Sequence, residues 1–355
     1  MPAALHEIER LREIAFRAAG EGSDLPRDLD HFDLYYRHLF VWNARDERIV
    51  GAYRVGATDE IPARIGPNGL YTRTLFQYDE RLLDRLGPAL ELGRAFVRIE
   101  CQRDFSPLVL LWKGIGRLVA REPRYRCLFG TVSISNRYES LSRSLLVRFL
   151  RATRYRDDLA ALVTPTRPPR PCPRDAILDG AVVASLDAVS RLVELVERDG
   201  KSVPVLLRQY LKLNARVLGF NVDPAFGDVL DGLMLVDLAE VEPVILGRYM
   251  GRDEAERFLA NLRQESVGAP GKARRRGDQP LTTLRQGHSH AMHTSKPELA
   301  LVSDIGVASQ GGGGITTHAV PSGKTGLHAA PASHQILREV RTSALRSSRP
   351  VLRWR

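Results

Sequence analysis

An acidic and a basic residue lie close together in an apolar segment of the chain, Glu91 and Arg94 within residues 90–99. Such a run predicts a strand, and Ser106-Pro107 predicts a helix start soon after it, since serine caps helices and proline suits their first turn. A strand of this kind can hold a thioester, an attacking amine and the group that takes the amine's proton. We interpret Glu91 as that proton acceptor, directly or through water, and Arg94 as its partner. The alternative is an ion pair between Glu91 and Arg94 that serves only the structure.

Three further charged residues precede this strand and suit an amino-acid substrate: Asp30, Asp33 and Arg54. The two aspartates lie in a loop-like segment, where their carboxylates would attract a cationic acceptor. Arg54 lies near a strand end and can bind a carboxylate through two parallel hydrogen bonds. Each has a structural alternative, because aspartate before an apolar run often caps a helix and a strand-end arginine is often simply hydrated.

The apolar pattern along the chain alternates between helix and strand periods. Helices are predicted over residues 3–19, 80–86, 107–118, 138–150, 186–197 and 205–218. Strands are predicted over residues 39–42, 49–56, 70–76, 91–99, 127–135 and 230–238. This mixture predicts an α/β fold in which helices flank a mixed central sheet.

The basic character of the chain is concentrated in its C-terminal part. Of 52 lysines and arginines and 42 aspartates and glutamates, 13 and 4 lie from Val267 onward, which leaves 39 and 38 before it. We therefore predict a nearly neutral domain over residues 1–265 and a low-complexity basic tail, mostly disordered, over residues 266–355. The charge gives little reason to expect a nucleic-acid partner.

Cysteine and histidine usage predicts no metal site. The three cysteines are scattered, which favours a reduced, cytoplasmic setting over a disulfide framework. His288, His290 and His293 cluster in the tail, but without cysteines nearby we expect no specific zinc site. No apolar run reaches the roughly 18 residues needed to cross a bilayer, so any contact with a membrane would be peripheral.

Five motifs follow one another in an order that can be compared with known families. They are Arg12 with Phe16, Asp30-His31-Phe32-Asp33, Gly51-Ala52-Tyr53-Arg54, Glu91 with Arg94, and Leu128 to Ser135 with its following helix. In this order they resemble the acyl-homoserine-lactone synthase branch of the GNAT acyltransferase fold. A second set is more similar to the "hemolysin"-labelled GNAT acyltransferases, which include the ornithine-lipid N-acyltransferases. That set is Glu91-Leu92-Gly93-Arg94, Leu111-Trp112-Lys113-Gly114-Ile115 and Leu128-Phe129-Gly130.

The resemblance covers roughly residues 5–265 and implies a GNAT-like N-acyltransferase. Its members transfer a fatty acyl group, usually 3-hydroxyacyl, from acyl carrier protein to an amine such as the α-amino group of ornithine. It implies catalytic roles for Glu91 and Arg94, and substrate contacts for Arg12, Phe16 and the charged residues named above. The donor would be the acyl-phosphopantetheine of the carrier protein, with no tightly bound cofactor. This fold begins with a strand before its first helix, and we expect that strand to be missing here.

The helix start at Ser106, with Arg103 beside it, is a candidate site for the phosphate of the phosphopantetheine arm. The loop of CoA-dependent GNATs, Gln/Arg-x-x-Gly-x-Gly/Ala, is absent from residues 102–108, which is compatible with a carrier-protein donor. Arg148 and Arg151 suit a docking patch for an acidic carrier protein, although a solvated charged face is the alternative.

The resemblance leaves two other functions open. One is an acyl-homoserine-lactone synthase-like enzyme, and the other is an inactive fragment that serves as a binding module. For the enzyme we expect a cytoplasmic location, with or without peripheral contact to the cytoplasmic face of the inner membrane.

Overall fold

A computed structural model describes residues 2–23, 25–104, 106–170, 185–267 and 298–302. In these residues a mixed sheet of seven strands is flanked by helices, which confirms the predicted fold class. The helices are α1 (Pro2–Ala19), α2 (Ile61–Ile65), α3 (Glu80–Leu86), α4 (Ser106–Arg121), α5 (Ser140–Arg154), α6 (Asp157–Ala160), α7 (Leu186–Val196), α8 (Val205–Lys212), α9 (Pro243–Met250) and α10 (Arg252–Val267). The strands are β1 (Arg37–Asn43), β2 (Arg48–Ala57), β3 (Phe76–Tyr78), β4 (Ala89–Val97), β5 (Cys127–Ile134), β6 (Val163–Pro165), β7 (Arg216–Asp223), β8 (Val229–Asp237) and β9 (Glu298–Val302).

The main sheet has the order β7-β8-β5-β4-β2-β1-β9. Neighbouring strands are antiparallel except β4 and β5, which are parallel and are connected through α4. The crossover helix between two parallel strands must cover one face of the sheet, and α4 does so through Leu108, Leu111 and Trp112. A separate two-stranded sheet pairs β3 with β6.

The opposite face of the sheet is covered by α1. Its residues Ile8, Leu11 and Ala15 pack on Ala52 of β2 and Phe96 of β4. Successive side chains of a strand point to opposite faces, so β4 contributes to the core on both sides. Among the described residues, no helix is long and apolar enough to cross a membrane.

The edge of the sheet beside β1 is paired with β9, a short segment of the predicted tail. In the described part of the chain the first helix precedes the first strand. Residues 266 and 267 of the predicted tail end α10, and apart from β9 its remaining residues, including the histidine cluster, lie outside the described residues.

Two predicted elements are wrong. Residues 70–76, predicted as a strand, mostly form a 3₁₀ turn at Tyr71–Thr74, and only β3 follows it. The helix predicted over residues 205–218 ends at Lys212, because Asn214 has a left-handed φ of 57° that no helix accommodates. The chain then enters β7, which the sequence analysis missed together with α9 and α10.

Gly130 of β5 lies directly against the backbone of β4. A Cβ atom at this position would lie 2.0 Å from the carbonyl oxygen of Leu92, which belongs to the neighbouring backbone and cannot rotate away. Gly93 on β4 differs, because a Cβ added there meets no atom within 4 Å.

We therefore expect Gly130→Ala to lower the free energy of unfolding by about 1–3 kcal/mol, the usual cost of overpacking. Gly93→Ala is the matched control and should leave that free energy unchanged or slightly higher, since its backbone is compatible with alanine. Denaturant midpoints of the two variants measure the difference. Equal midpoints would show that the two strands are not held at this separation.

Candidate active site

A cavity lies where β4 and β5 separate. The two strands pair only from Ala89 to Glu91 on β4, although β4 continues to Val97 and β5 to Ile134. Beyond Glu91 the edge of β4 that faces β5 has no ladder partner among the described residues. The cavity encloses about 160 Å³. Its apolar wall includes Phe16, Leu92, Phe96, Leu108, Leu111 and Leu206, and its polar wall includes Glu21, Tyr71, Arg94, Ser133, Asp223 and Asp231.

Arg94 reaches this cavity from a β-bulge. Two residues of β4, Arg94 and Ala95, lie opposite Tyr53 of β2, and Arg94 has a left-handed φ of 52°. A bulge redirects the side chain that it carries. The Arg94 guanidinium is held 3.4 Å from Asp28 and 3.2 Å from Asp30. It also lies over the ring of Phe226, at 4.3 Å from the centroid.

Behind Arg94 lies a buried cluster of ion pairs that joins α1, the loop before β1, and β2. Arg12 donates two hydrogen bonds to Asp33, at 2.9 and 2.7 Å, and its Nε lies 2.6 Å from Asp28. Arg54 donates to Asp30 at 2.5 Å and to Asp33 at 3.1 Å. Burial alone would raise the pKa of Asp33, but the hydrogen bonds and charges of Arg12 and Arg54 outweigh it and hold that pKa well below its usual range.

The structure thus brings together four residues predicted to contact substrate: Arg12, Asp30, Asp33 and Arg54. They bind one another and do not line the cavity, whereas Phe16 and Arg94 do. Asp30 also caps the 3₁₀ turn His31–Leu34, the structural alternative considered for it. Arg94, which lines the cavity and pairs with Asp30, connects this cluster to it.

Glu91 and Arg94 do not form the predicted pair. The Glu91 carboxylate accepts hydrogen bonds from the Tyr36 hydroxyl and from the backbone N–H groups of Tyr71, at 3.2 Å, and Thr72, at 2.6 Å. These donors occupy Glu91, while Asp28 and Asp30 hold Arg94. Glu91 itself does not line the cavity. Its direct effect is to fix the turn that carries Tyr71.

Three carboxyl groups that the sequence analysis missed line the cavity: Glu21, Asp223 and Asp231. Burial is the main cause that raises the pKa of Asp231 to about 7 and that of Glu21 to about 7. Burial also raises the pKa of Asp223. One sequence signal was present, since an acid within the apolar strand β8 is unusual and needs a reason. A carboxylate with a pKa near neutrality can accept a proton from an ammonium group at neutral pH.

The residues predicted for the donor lie outside the cavity wall. Ser106 is the first residue of α4, and the Asp104 carboxylate accepts its backbone N–H at 2.8 Å. Arg103 is exposed nearby. On α5, Arg151 is exposed and lies over the rings of Tyr155 and Phe220, and Arg148 is half-buried.

Comparison with known proteins agrees with this architecture. An acetyltransferase (GNAT) domain model matches residues 11–113. A glycine N(alpha)-acyltransferase of Phocaeicola vulgatus is 31% identical over 260 residues, 68% of this chain and 78% of that protein. A glycine N(alpha)-acyltransferase of Bacteroides thetaiotaomicron is 31% identical over 262 residues, 68% of this chain and 75% of that protein. No solved structure gives a significant match. The chain therefore belongs to the family of GNAT acyltransferases that includes these two proteins.

Proposed function

We propose that this chain transfers a fatty acyl group from acyl carrier protein to the α-amino group of an amino acid, as in the synthesis of ornithine-type lipids. The observation that carries the proposal is the cavity between β4 and β5, which combines apolar walls with one guanidinium and three carboxyl groups. The apolar walls suit an acyl chain, and the guanidinium and carboxyl groups suit the carboxylate and the ammonium of an amino acid. The names of the two relatives support an amino-acid acceptor.

The donor thioester would lie along the edge of β4 that β5 leaves. Backbone N–H groups on such an edge can hydrogen-bond a thioester carbonyl and the oxyanion that forms from it. Gly93 presents no side chain to the cavity that it lines. For the carrier protein we keep Arg103, Arg148, Arg151 and the helix start at Ser106 as proposed contacts, and no tightly bound cofactor is needed.

The acceptor would lie with its carboxylate toward Arg94 and its ammonium toward the three carboxyl groups. Glycine fills these needs and is the acceptor named for the relatives. Ornithine carries a second ammonium, and the excess of cavity carboxyls over guanidinium suits that charge as well. Both amino acids are therefore part of the proposal.

The direct test is acyl transfer by the purified chain with 3-hydroxyacyl-acyl carrier protein and either glycine or ornithine, followed by mass spectrometry of the products. We expect an N-acyl amino acid with at least one of them. Methylamine, which is glycine without its carboxylate, should react poorly because it cannot use Arg94. An acyl-CoA arm reports whether the carrier protein is required. Folded protein that forms no amide with either amino acid would contradict the proposal.

Gly93→Leu should block the reaction without unfolding the protein. Its side chain would enter the open space beside β4, where the thioester is proposed to lie. We expect turnover to fall by roughly 100-fold, the scale of a small misplacement of reacting groups. Gly93→Ala, with one methyl group, should have a smaller effect. Full activity in Gly93→Leu would place the thioester elsewhere.

Glu91→Gln tests whether Glu91 positions Tyr71 or accepts the proton itself. Glutamine keeps the shape but loses acceptor capacity toward three donors, so we expect unfolding to become easier by about 1–3 kcal/mol. We also expect lower turnover with an unchanged pH dependence. Loss of that pH dependence would instead assign Glu91 as the proton acceptor, the role predicted from the sequence.

Glu9→Gln is the matched control for this variant. Glu9 is also buried, but its Oε2 has no hydrogen-bond partner among the described residues, and burial raises its pKa. A neutral amide should therefore cost little stability at that position. A loss as large as that of Glu91→Gln would show that any buried glutamate on this side of the sheet has the same effect.

A further inference from the structure

Asp231 occupies an unusual position in the sheet. It lies on β8 directly opposite Ser133 of β5, next to the gap that opens between β5 and β4. Asp231 is 3% exposed, and the Ser133 hydroxyl donates a hydrogen bond to its Oδ1 at 2.7 Å. Within the described ranges, no basic side chain forms an ion pair with it at 4 Å or less. A buried carboxylate without a cation is costly, and such a cost is common at functional sites.

The charged and titratable groups that face Asp231 come from every side of the cavity. Burial is the largest cause that raises the pKa of Asp231. The hydrogen bond from Ser133 lowers that pKa, the charge of Asp223 on the adjacent β7 raises it, and the charge of Arg94 on β4 lowers it. Glu21, which follows α1, and Tyr71 each have a pKa that the charge of Asp231 raises further. The cavity therefore gathers negative charge around one buried carboxyl.

We infer that Asp231 is the group that takes the proton from the acceptor's ammonium, with Ser133 as the residue that positions its carboxylate. This inference rests on the proposed function. The ammonium loses one proton to Asp231, and the neutral amine nitrogen then forms a bond to the thioester carbonyl carbon. The C–S bond breaks, and the leaving thiolate takes the second proton that the nitrogen must release. Asp231 returns its proton to solvent before the next turnover.

The other acids near the site are less suited to this step. Asp223 accepts the backbone N–H of Ala225 at 3.0 Å, which fixes it in the turn after β7. Glu21 lies outside the sheet and is more exposed than Asp231. The Glu91 carboxylate is occupied by three donors and lies outside the cavity wall.

The test is Asp231→Asn, in which the amide oxygen can still accept the hydrogen bond of Ser133. Two acceptors are compared at pH 7: glycine, which is an ammonium, and aminooxyacetate, which carries the same carboxylate but a nitrogen that is already neutral. We expect turnover with glycine to fall by about 100-fold or more, the usual effect of losing a general base. Turnover with aminooxyacetate should fall far less, because its nitrogen needs no initial deprotonation.

The pH profile provides a second readout. In the wild type, kcat/KM for glycine should rise as pH increases through about 7, because Asp231 must be deprotonated to accept a proton. The inflection near pH 7 should disappear in Asp231→Asn and persist in Ser133→Ala with reduced turnover. Equal losses with both acceptors, or an unchanged inflection in Asp231→Asn, would overturn the inference. A wild type that acylates neither amino acid would instead refute the proposed function.

Discussion

The parallel strands β4 and β5 separate after a short ladder, and the elements around the cavity are arranged about this separation. β4 and β5 share a ladder for only three residues, and from there each backbone must find other partners or face a cavity. The contact of β5 with Leu92 of β4 requires a glycine, Gly130, on β5. The gap beyond this contact is a cavity that other elements must enclose. α4 supplies one wall and α1 supplies the other, so both helices border the same space. An open sheet thereby forms an enclosed site without a separate domain.

The ion pairs behind Arg94 fix the position of α1 on one side of that space. Arg12 fixes α1 to Asp28 and Asp33, and Arg54 binds the same acidic loop from β2. A buried ion pair gains little net stability, because desolvation of both partners offsets their attraction. Removing one partner is far more costly, since the remaining charge stays buried. The cluster is therefore better understood as a device that fixes geometry than as a source of stability.

The sequence predicted the fold well where periodicity was strong. The bounds of α3 were predicted correctly, and β1, β2, β5, β8 and α1 were placed within a few residues. It failed at residues 70–76, where the backbone N–H groups of Tyr71 and Thr72 bond the Glu91 carboxylate and not a neighbouring strand. Such a side-chain partner, distant in the chain, leaves no trace in local apolar spacing. The helix predicted through residue 218 failed because a single left-handed residue, Asn214, ends it.

For the site, sequence reasoning identified residues that do lie close together, but the one pair that it assigned, Glu91 with Arg94, does not form. Arg94 lies in a bulge, which depends on the register between β2 and β4 and cannot be read from one strand. Asp231 was passed over because it stands inside an apolar strand, where pattern analysis treats an isolated acid as an exception. The role that we infer for it is argued from its burial and from Ser133 across the ladder.

Buried and exposed arginines of this protein should respond differently to ionic strength. Arg12 and Arg54 are 1% exposed, and charges so enclosed are screened little by dissolved salt. Arg103 and Arg151 stand at the surface, where the Debye length at 0.15 M is about 8 Å. The geometry around the proposed acceptor site should thus persist in concentrated salt, while any attraction of the proposed acidic donor protein to the surface should fade. Ionic strength therefore offers a way to weaken one substrate's binding while the other's remains.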